Sequence, residues 1–234
     1  DHCPHASDPG PPAGWQAVTL ASARGTKRRA WHRAGERGTT LLFLHGNAGH
    51  RGDRLEWASM FVARGWGVFL LDYRGYGGSG GSPREEGLYA DAEAAALWLE
   101  ARGARAAYVG ESLGCGVAVE LARRRPPKAL VLHAGAASLA DVAQRAYPWL
   151  PVKLMIRDRY DAASRIDAVR CPLFCVHGTA DDLIPMAMGR RLFDAAREPK
   201  RWLSVEGAGH NDIPWTGGAA YVDAVHAFLV EATN

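Results

Sequence analysis

The run AAYVGESLGCGVAVELARR, residues 106–124, reads as a buried strand, a tight turn and a helix, with Ser112 at the apex inside Gly110-Glu111-Ser112-Leu113-Gly114. A serine hydroxyl becomes a nucleophile only when a base takes its proton and a further group orients that base. The chain has nine histidines to choose from. His2 and His5 lie near the N-terminus, His32 in a strand, and His226 in the last helical run. His45 and His177 each precede a glycine directly after a strand, where structural hydrogen bonding is the plain role. His133 ends a strand and His50 follows the first loop, so both are placed to line a pocket. His210 follows the last strand in a Gly-Ala-Gly setting that can swing an imidazole over Ser112, and it is the expected base. For the acid, Asp181 and Asp182 are neighbours whose side chains point apart, so only one can hold the imidazole. Asp181 is the choice and Asp182 the alternative.

A tetrahedral oxyanion needs two fixed N–H donors. The backbone N–H of Leu113, next after the nucleophile, is one candidate, and that of Asn47, after His45-Gly46, is the other. Small residues on either side of Ser112 let neighbouring backbone approach a strained turn, and Gly110 and Gly114 supply them. The run GYGGSG, residues 75–80, fits G-x-G-x-x-G. Ser82-Pro83 separates it from the next helix, however, so a pyrophosphate could not sit on that helix N-terminus and no dinucleotide site is expected. No Gly-Lys-Ser/Thr step offers a P-loop, and no Cys/His spacing suggests zinc. Neither cofactor nor metal is implied. Cys115 lies in the turn-helix segment as a buried thiol, and Cys171 and Cys175 are too far apart along one extended run to bridge.

The elements that must position these groups alternate. WQAVTL and RRAWHRA read as a hairpin turning at Gly25. Then come TTLLFLHG (strand), RLEWASMFVARG (helix), WGVFLLDYRG (strand), LYADAEAAALWLEARG (helix), the Ser112 segment, KALVLHAG (strand), PLFCVHG (strand), MAMGRRLFDAAR (helix), RWLSVEG (strand) and AAYVDAVHAFLVEA (helix). Strands without polar alternation are covered on both faces. Alternation with helices predicts an α/β fold: a mostly parallel sheet with helices on both faces. Sites in such sheets form at the carboxyl ends of strands. Four strand-end loops, LHGNAGH, GESLG, HGTADDLIP and GAGHND, therefore converge. Residues 136–167 interrupt the rhythm and read as a short helical cap. Its apolar residues either pack on the domain, line an acyl cleft or touch lipid, with Lys153, Arg157 and Arg159 beside them. Trp149 in the cap and Trp215 after His210, together with His133, are the substrate-binding candidates.

The motifs FLHGNAG, DYRGYGGSGGSP, VGESLGCGVA, HGTADDLIP and GAGHND, in this order, resemble those of α/β-hydrolases. More narrowly, the chain is similar to the ABHD-type serine hydrolases of the depalmitoylase and lysophospholipase kind. The resemblance covers about residues 15–230. It implies the α/β-hydrolase fold, with nucleophile, acid and base in the order Ser112, Asp181, His210. In that family the acid opens a D-x-x-[IV]-P stretch, which residues 181–185 match, again pointing to Asp181. The glycine-rich loop after Asp72 is a family feature. Where relatives usually carry an acidic residue and a Pro-Phe-Thr-Ser-like stretch, this chain has HAGAAS, which alters the pocket there.

Composition sets the outer limits. With 28 Lys+Arg against 25 Asp+Glu the formal net charge is only +3, too small and scattered for a nucleic-acid partner. Arg123-Arg124-Arg125 closes a helical run, where cations suit the helix dipole. A chain of this length buries about 70% of its unfolded surface, consistent with one domain over residues 15–234 preceded by a Pro/Gly/Asp-rich tail, residues 1–14. The first residue is Asp1, and a leader or anchor upstream is one reading beside a cytoplasmic one. The expected activity is a serine esterase or thioesterase acting through an acyl-serine on a small-molecule or acylated substrate. The alternative is a ligand-binding or sensor protein with vestigial hydrolysis on the same fold.

Overall fold

A computed structural model of the protein describes residues 10–21 and 27–234. The expected turn at Gly25 and the first nine residues, with His2, Cys3 and His5, lie outside the described residues. Eight strands form one sheet: β1 (Gln16–Ala21), β2 (Lys27–Arg33), β3 (Thr39–Leu44), β4 (Gly67–Leu71), β5 (Arg105–Glu111), β6 (Leu130–His133), β7 (Leu173–Gly178) and β8 (Lys200–Val205). Their spatial order is β1-β2-β4-β3-β5-β6-β7-β8. β1 pairs antiparallel with β2, and β2 antiparallel with β4. Every pair from β4 to β8 is parallel.

The parallel strands are buried on both sides, and period-two alternation divides their side chains between two cores. Leu42, Leu44, Phe69, Leu71, Tyr108 and Leu132 face one core, shared with α2 (Glu85–Glu100) and α3 (Leu113–Arg124). Leu41, Phe43, Val68, Leu70, Val109 and Val131 face the other, shared with α1 (Leu55–Val62) and α8 (Ile213–Thr233). This is why the sequence shows apolar runs rather than alternation at these strands. Between β6 and β7 come three short helices, α4 (Leu139–Ala146), α5 (Val152–Met155) and α6 (Ala163–Ile166), and α7 (Met186–Ala195) joins β7 to β8.

Two boundaries differ from the sequence reading. A 3-10 turn, Arg51–Arg54, precedes α1. It is held by its own cap: the His50 ring accepts from Gly52 N–H while the Asp53 carboxylate accepts from His50 N–H. The last helix starts at Ile213, six residues before the apolar pattern, because the Gly217-Gly218 pair that reads as a break is a kink within it, with Gly218 at φ 50°. Cys171 falls just before β7 rather than inside it. Cys115, Cys171 and Cys175 are all free and buried.

Candidate active site

The turn at Ser112 is strained, as a strand-to-helix reversal with no spare residue must be. Ser112 has φ 52° and ψ −117°, a region that costs a non-glycine residue about 1–3 kcal/mol. The surrounding backbone enforces it. Ser112 N–H donates to His133 O at 2.9 Å, extending the β5–β6 ladder into the turn. A Cβ on Gly114 would lie 1.9 Å from Leu44 O, and one on Gly110 2.9 Å from the Ala118 Cβ. Both positions therefore take only glycine, which packs β3, β5 and α3 close enough to raise the serine above the sheet.

The base and acid arrive on two loops that are zipped together. Thr179 N–H donates to Val205 O and Ala180 N–H to Ala208 O, at 3.0 and 2.9 Å, so the loops after β7 and β8 share a fixed register. That register brings His210 Nε2 to 2.9 Å from Ser112 Oγ and His210 Nδ1 to 2.8 Å from Asp181 Oδ2. The other Asp181 oxygen accepts Ile184 N–H at 2.8 Å. Asp181 is buried and Asp182 exposed, so it is Asp181 that meets the imidazole. Burial alone would raise the Asp181 pKa. Hydrogen bonds from His177 and His210 and from Ile184 N–H outweigh it and hold the carboxyl well below the usual carboxylate range. An ionised Asp181 fixes a proton on Nδ1, leaving Nε2 to accept from the serine hydroxyl. His177, which the sequence placed in a purely structural role, has its Nε2 3.4 Å from Asp181 Oδ2 and 2.7 Å from Ile184 O. It braces the acid as well as the turn.

Asn47 and Leu113 line the same cavity as Ser112. The Leu113 N–H is the first of α3, where no earlier turn supplies an acceptor. The loop carrying Asn47 is held from three sides. Arg51 pairs with the buried Asp72 carboxylate and donates to Gly77 O at 2.9 Å. Tyr76 donates its hydroxyl to Asn47 Oδ1 at 2.9 Å. Arg54 forks onto Glu111, Nε to Oε2 at 2.8 Å and Nη2 to Oε1 at 2.9 Å. The glycine-rich run 75–80 thus wraps Asp72 and supports Asn47. Sequence reasoning missed Arg51, Arg54, Tyr76 and His177. Their only signal was position in or beside the strand-end loops: the partners of Arg51, Arg54 and Tyr76 lie 21 to 57 residues away, and the contact of His177 with Asp181, four residues on, depends on how the loop folds back.

Two cavities flank the Ser112–His210 pair. One, of about 210 Å³, is lined by Asn47, Ser112, Leu113, Leu139, Val142 and Leu183, mostly apolar and closed by α4. The other, of about 300 Å³, is lined by Arg54, Trp57, Glu111, His133, His210 and Trp215. The substrate-binding candidates His133 and Trp215 fall in the second cavity. Trp149 does not line either one and stands on the cap surface, 75% exposed. His50 caps the 3-10 turn instead of lining a cavity. His133 is enclosed by Trp57 and Tyr221 rings at 4.7 and 5.5 Å. Burial and the nearby His177 pull its pKa down to about 3, so it is neutral. Burial pushes the Cys115 thiol well above its ordinary pKa, which leaves it inert beside the serine. Among the described residues no group of three or more His, Cys, Asp or Glu could hold a metal ion.

Residues 35–160 match the family described as serine aminopeptidase, S33. The chain is 44% identical over 227 residues to the uncharacterized protein Rv2307c of Mycobacterium tuberculosis, covering 94% of this chain and 80% of that one. It is 37% identical over 198 residues to alpha/beta hydrolase domain-containing protein 17B of Homo sapiens, covering 81% of this chain and 66% of that one. In fold it is similar to the Pyrococcus furiosus esterase Pf2001, with a TM-score of 0.78 at 18% identity over 94% of this chain and 93% of that one. With the sheet order and strand-end loops described above, these matches place the chain in the α/β-hydrolase superfamily, as a hydrolase of the ABHD type.

Proposed function

We propose that the protein is a serine hydrolase that cleaves carboxylic esters or thioesters through an acyl-serine. The observation that carries this is the continuous hydrogen-bonded line Asp181–His210–Ser112, with 2.8 and 2.9 Å links. His210 Nε2 takes the Ser112 proton as Oγ attacks the carbonyl carbon. The oxyanion is held by the Leu113 and Asn47 N–H groups, and the imidazolium by Asp181. His210 then hands the proton to the departing oxygen or sulfur, leaving acyl-Ser112. A water deprotonated by His210 attacks that ester, and the acid leaves as Ser112 regains its proton.

Proton delivery from His210 puts the leaving group on the side of the 300 Å³ cavity. The acyl group then lies in the apolar 210 Å³ cavity beside the oxyanion donors. That volume falls below the range common for ligand sites, so butyryl and hexanoyl esters are expected to outrun palmitoyl ones.

Fluorophosphonate labelling of the protein and of Ser112→Ala tests the nucleophile: the variant should take up no label, and equal labelling would sink the assignment. Turnover of p-nitrophenyl esters above background separates an enzyme from a binding protein on this fold. The matched family carries the word aminopeptidase, so aminoacyl anilides belong in the same assay. Anilide turnover exceeding ester turnover would overturn the ester reading.

A further inference from the structure

Soluble surfaces carry isolated apolar residues everywhere, but a contiguous large patch marks a contact. Among the described residues eight large hydrophobic side chains are exposed: Leu97, Tyr147, Trp149, Leu150, Leu154, Met155, Leu183 and Trp215. Leu97 stands on α2, outside both the cap and the cavity linings. Five stand together on the cap, Leu183 lines the smaller cavity and Trp215 the larger one. Leu154 is 87% and Met155 68% exposed.

The fold holds this surface out deliberately. The base of the cap is anchored: Leu139 N–H donates to Arg159 O, and Arg159 and Tyr160 N–H both donate to Glu85 Oε2, at 2.9, 2.6 and 3.1 Å. Asp158 and Asp141 add further ties near the two ends, to Arg84 and Glu85 N–H and to Arg191, while the middle is braced from within the cap, with Gln144 Nε2 donating to Leu150 O at 2.8 Å and Lys153 paired with Asp141. The anchored ends fix where the apolar middle points, and no element among the described residues covers it.

Its charge says what covers it. Residues 143–157 include Arg145, Lys153 and Arg157 and no Asp or Glu. Arg145 and Arg157 are exposed. Aromatic and aliphatic side chains ringed by cations are the composition of a segment lying in a lipid interface. A second copy docked through a twofold axis would set these same cations against one another.

We propose that the middle of the cap, residues 143–157, docks the protein on an anionic lipid bilayer. Tyr147, Trp149, Leu150, Leu154 and Met155 enter the interface and Arg145 and Arg157 meet the headgroups. The cavity mouths then face the membrane. This rests on the ester or thioester reading for its use, since it brings membrane-held esters or thioesters to Ser112, but the docking itself is measured without turnover.

The test is co-sedimentation of the full chain as Ser112→Ala with vesicles of phosphatidylcholine alone or mixed with phosphatidylglycerol. Binding is expected on the mixed vesicles and is expected to weaken with salt. Leu154→Ser/Met155→Ser should weaken it about tenfold or more. Arg145→Gln/Arg157→Gln should weaken it about fivefold per cation removed, on the mixed vesicles only. Both pairs lie outside the cavities, so on the Ser112 background they should leave p-nitrophenyl butyrate turnover unchanged, showing that the fold is intact. No binding at low salt, or undiminished binding by Leu154→Ser/Met155→Ser, overturns the proposal. So does a dimer in light scattering that this double variant abolishes while no vesicle binding is seen, which assigns the surface to a second copy. Failure of ester turnover with vesicle binding intact strikes the catalytic reading alone.

Discussion

Asn47 has two jobs in this arrangement, and they can be separated. Its proposed role at the oxyanion uses the backbone N–H, which a side-chain change leaves in place, while its Oδ1 accepts the Tyr76 hydroxyl at 2.9 Å. Removing an oxyanion donor outright costs about 10²–10³ in rate. Asn47→Ala should cost less than about tenfold in kcat/KM, because only the tether is lost, and Tyr76→Phe should match it. The double variant should be no worse than either single one. Steady-state kinetics on one ester substrate checks this, and a loss near the full donor value would mean that the Asn47 side chain itself meets the oxyanion. At this scale the sequence was legible where a residue's role follows from its own place on the chain. Ser112 stands directly beyond β5, and Asp181 and His210 stand in the loops that follow β7 and β8. Tyr76 does not announce itself, because its partner is 29 residues away and the glycines around it look like a nucleotide loop.

Between elements, the fork from Arg54 to Glu111 links the loop after β3 to the end of β5, and so couples the proposed oxyanion donor to the nucleophile turn. Gly46 lies between them, its Cβ position 3.3 Å from Ser112 Cβ and 3.8 Å from Arg54 Nη2. The loop can therefore slide relative to the serine only if the fork opens. Glu111→Gln keeps the shape and loses the charge-assisted pairing. Arg54→Lys keeps the charge and loses the planar two-point contact. Both should lower kcat by about tenfold or more with a smaller change in KM, the pattern of a donor misplaced in the transition state. A purely structural pair would instead lower thermal stability and leave the kcat of the folded fraction unchanged. Strand order and helix faces were legible from apolar runs and strand-helix alternation. The 3-10 turn that carries Arg54 was not, since its cap is built from a histidine ring and an aspartate rather than the usual N-cap residues. The early start of α8 was hidden by Gly217-Gly218, which on sequence alone signals a break.

Over the whole molecule, two buried histidines and the acid Asp181 tie stability to pH on the acid side. His133 is neutral in the fold, its pKa pulled from 6.5 to about 3 by burial and by His177. Burial also lowers the pKa of His45, against the opposing pull of Asp72. Asp181 is held below the ordinary carboxylate range. In each case the unfolded chain binds the proton at a higher pH than the folded one. Stability is therefore full above the unfolded pKa and is lost as pH falls toward the folded one. For His133 that window runs from 6.5 down to about 3, so acid weakening starts well before the carboxylates titrate. One proton taken up on unfolding tilts stability by about 1.4 kcal/mol per pH unit. His133→Phe keeps an aromatic ring between Trp57 and Tyr221 and removes that proton. Urea midpoints measured from about pH 7 down to about pH 4 should fall less steeply in the variant, by up to that slope. The variant should therefore gain on the wild type as the pH drops, whatever the offset between them at neutrality. Parallel curves would mean that His133 is protonated in the folded state. That in turn would require the Trp57–Tyr221–His133 cluster to admit water at the base of the larger cavity.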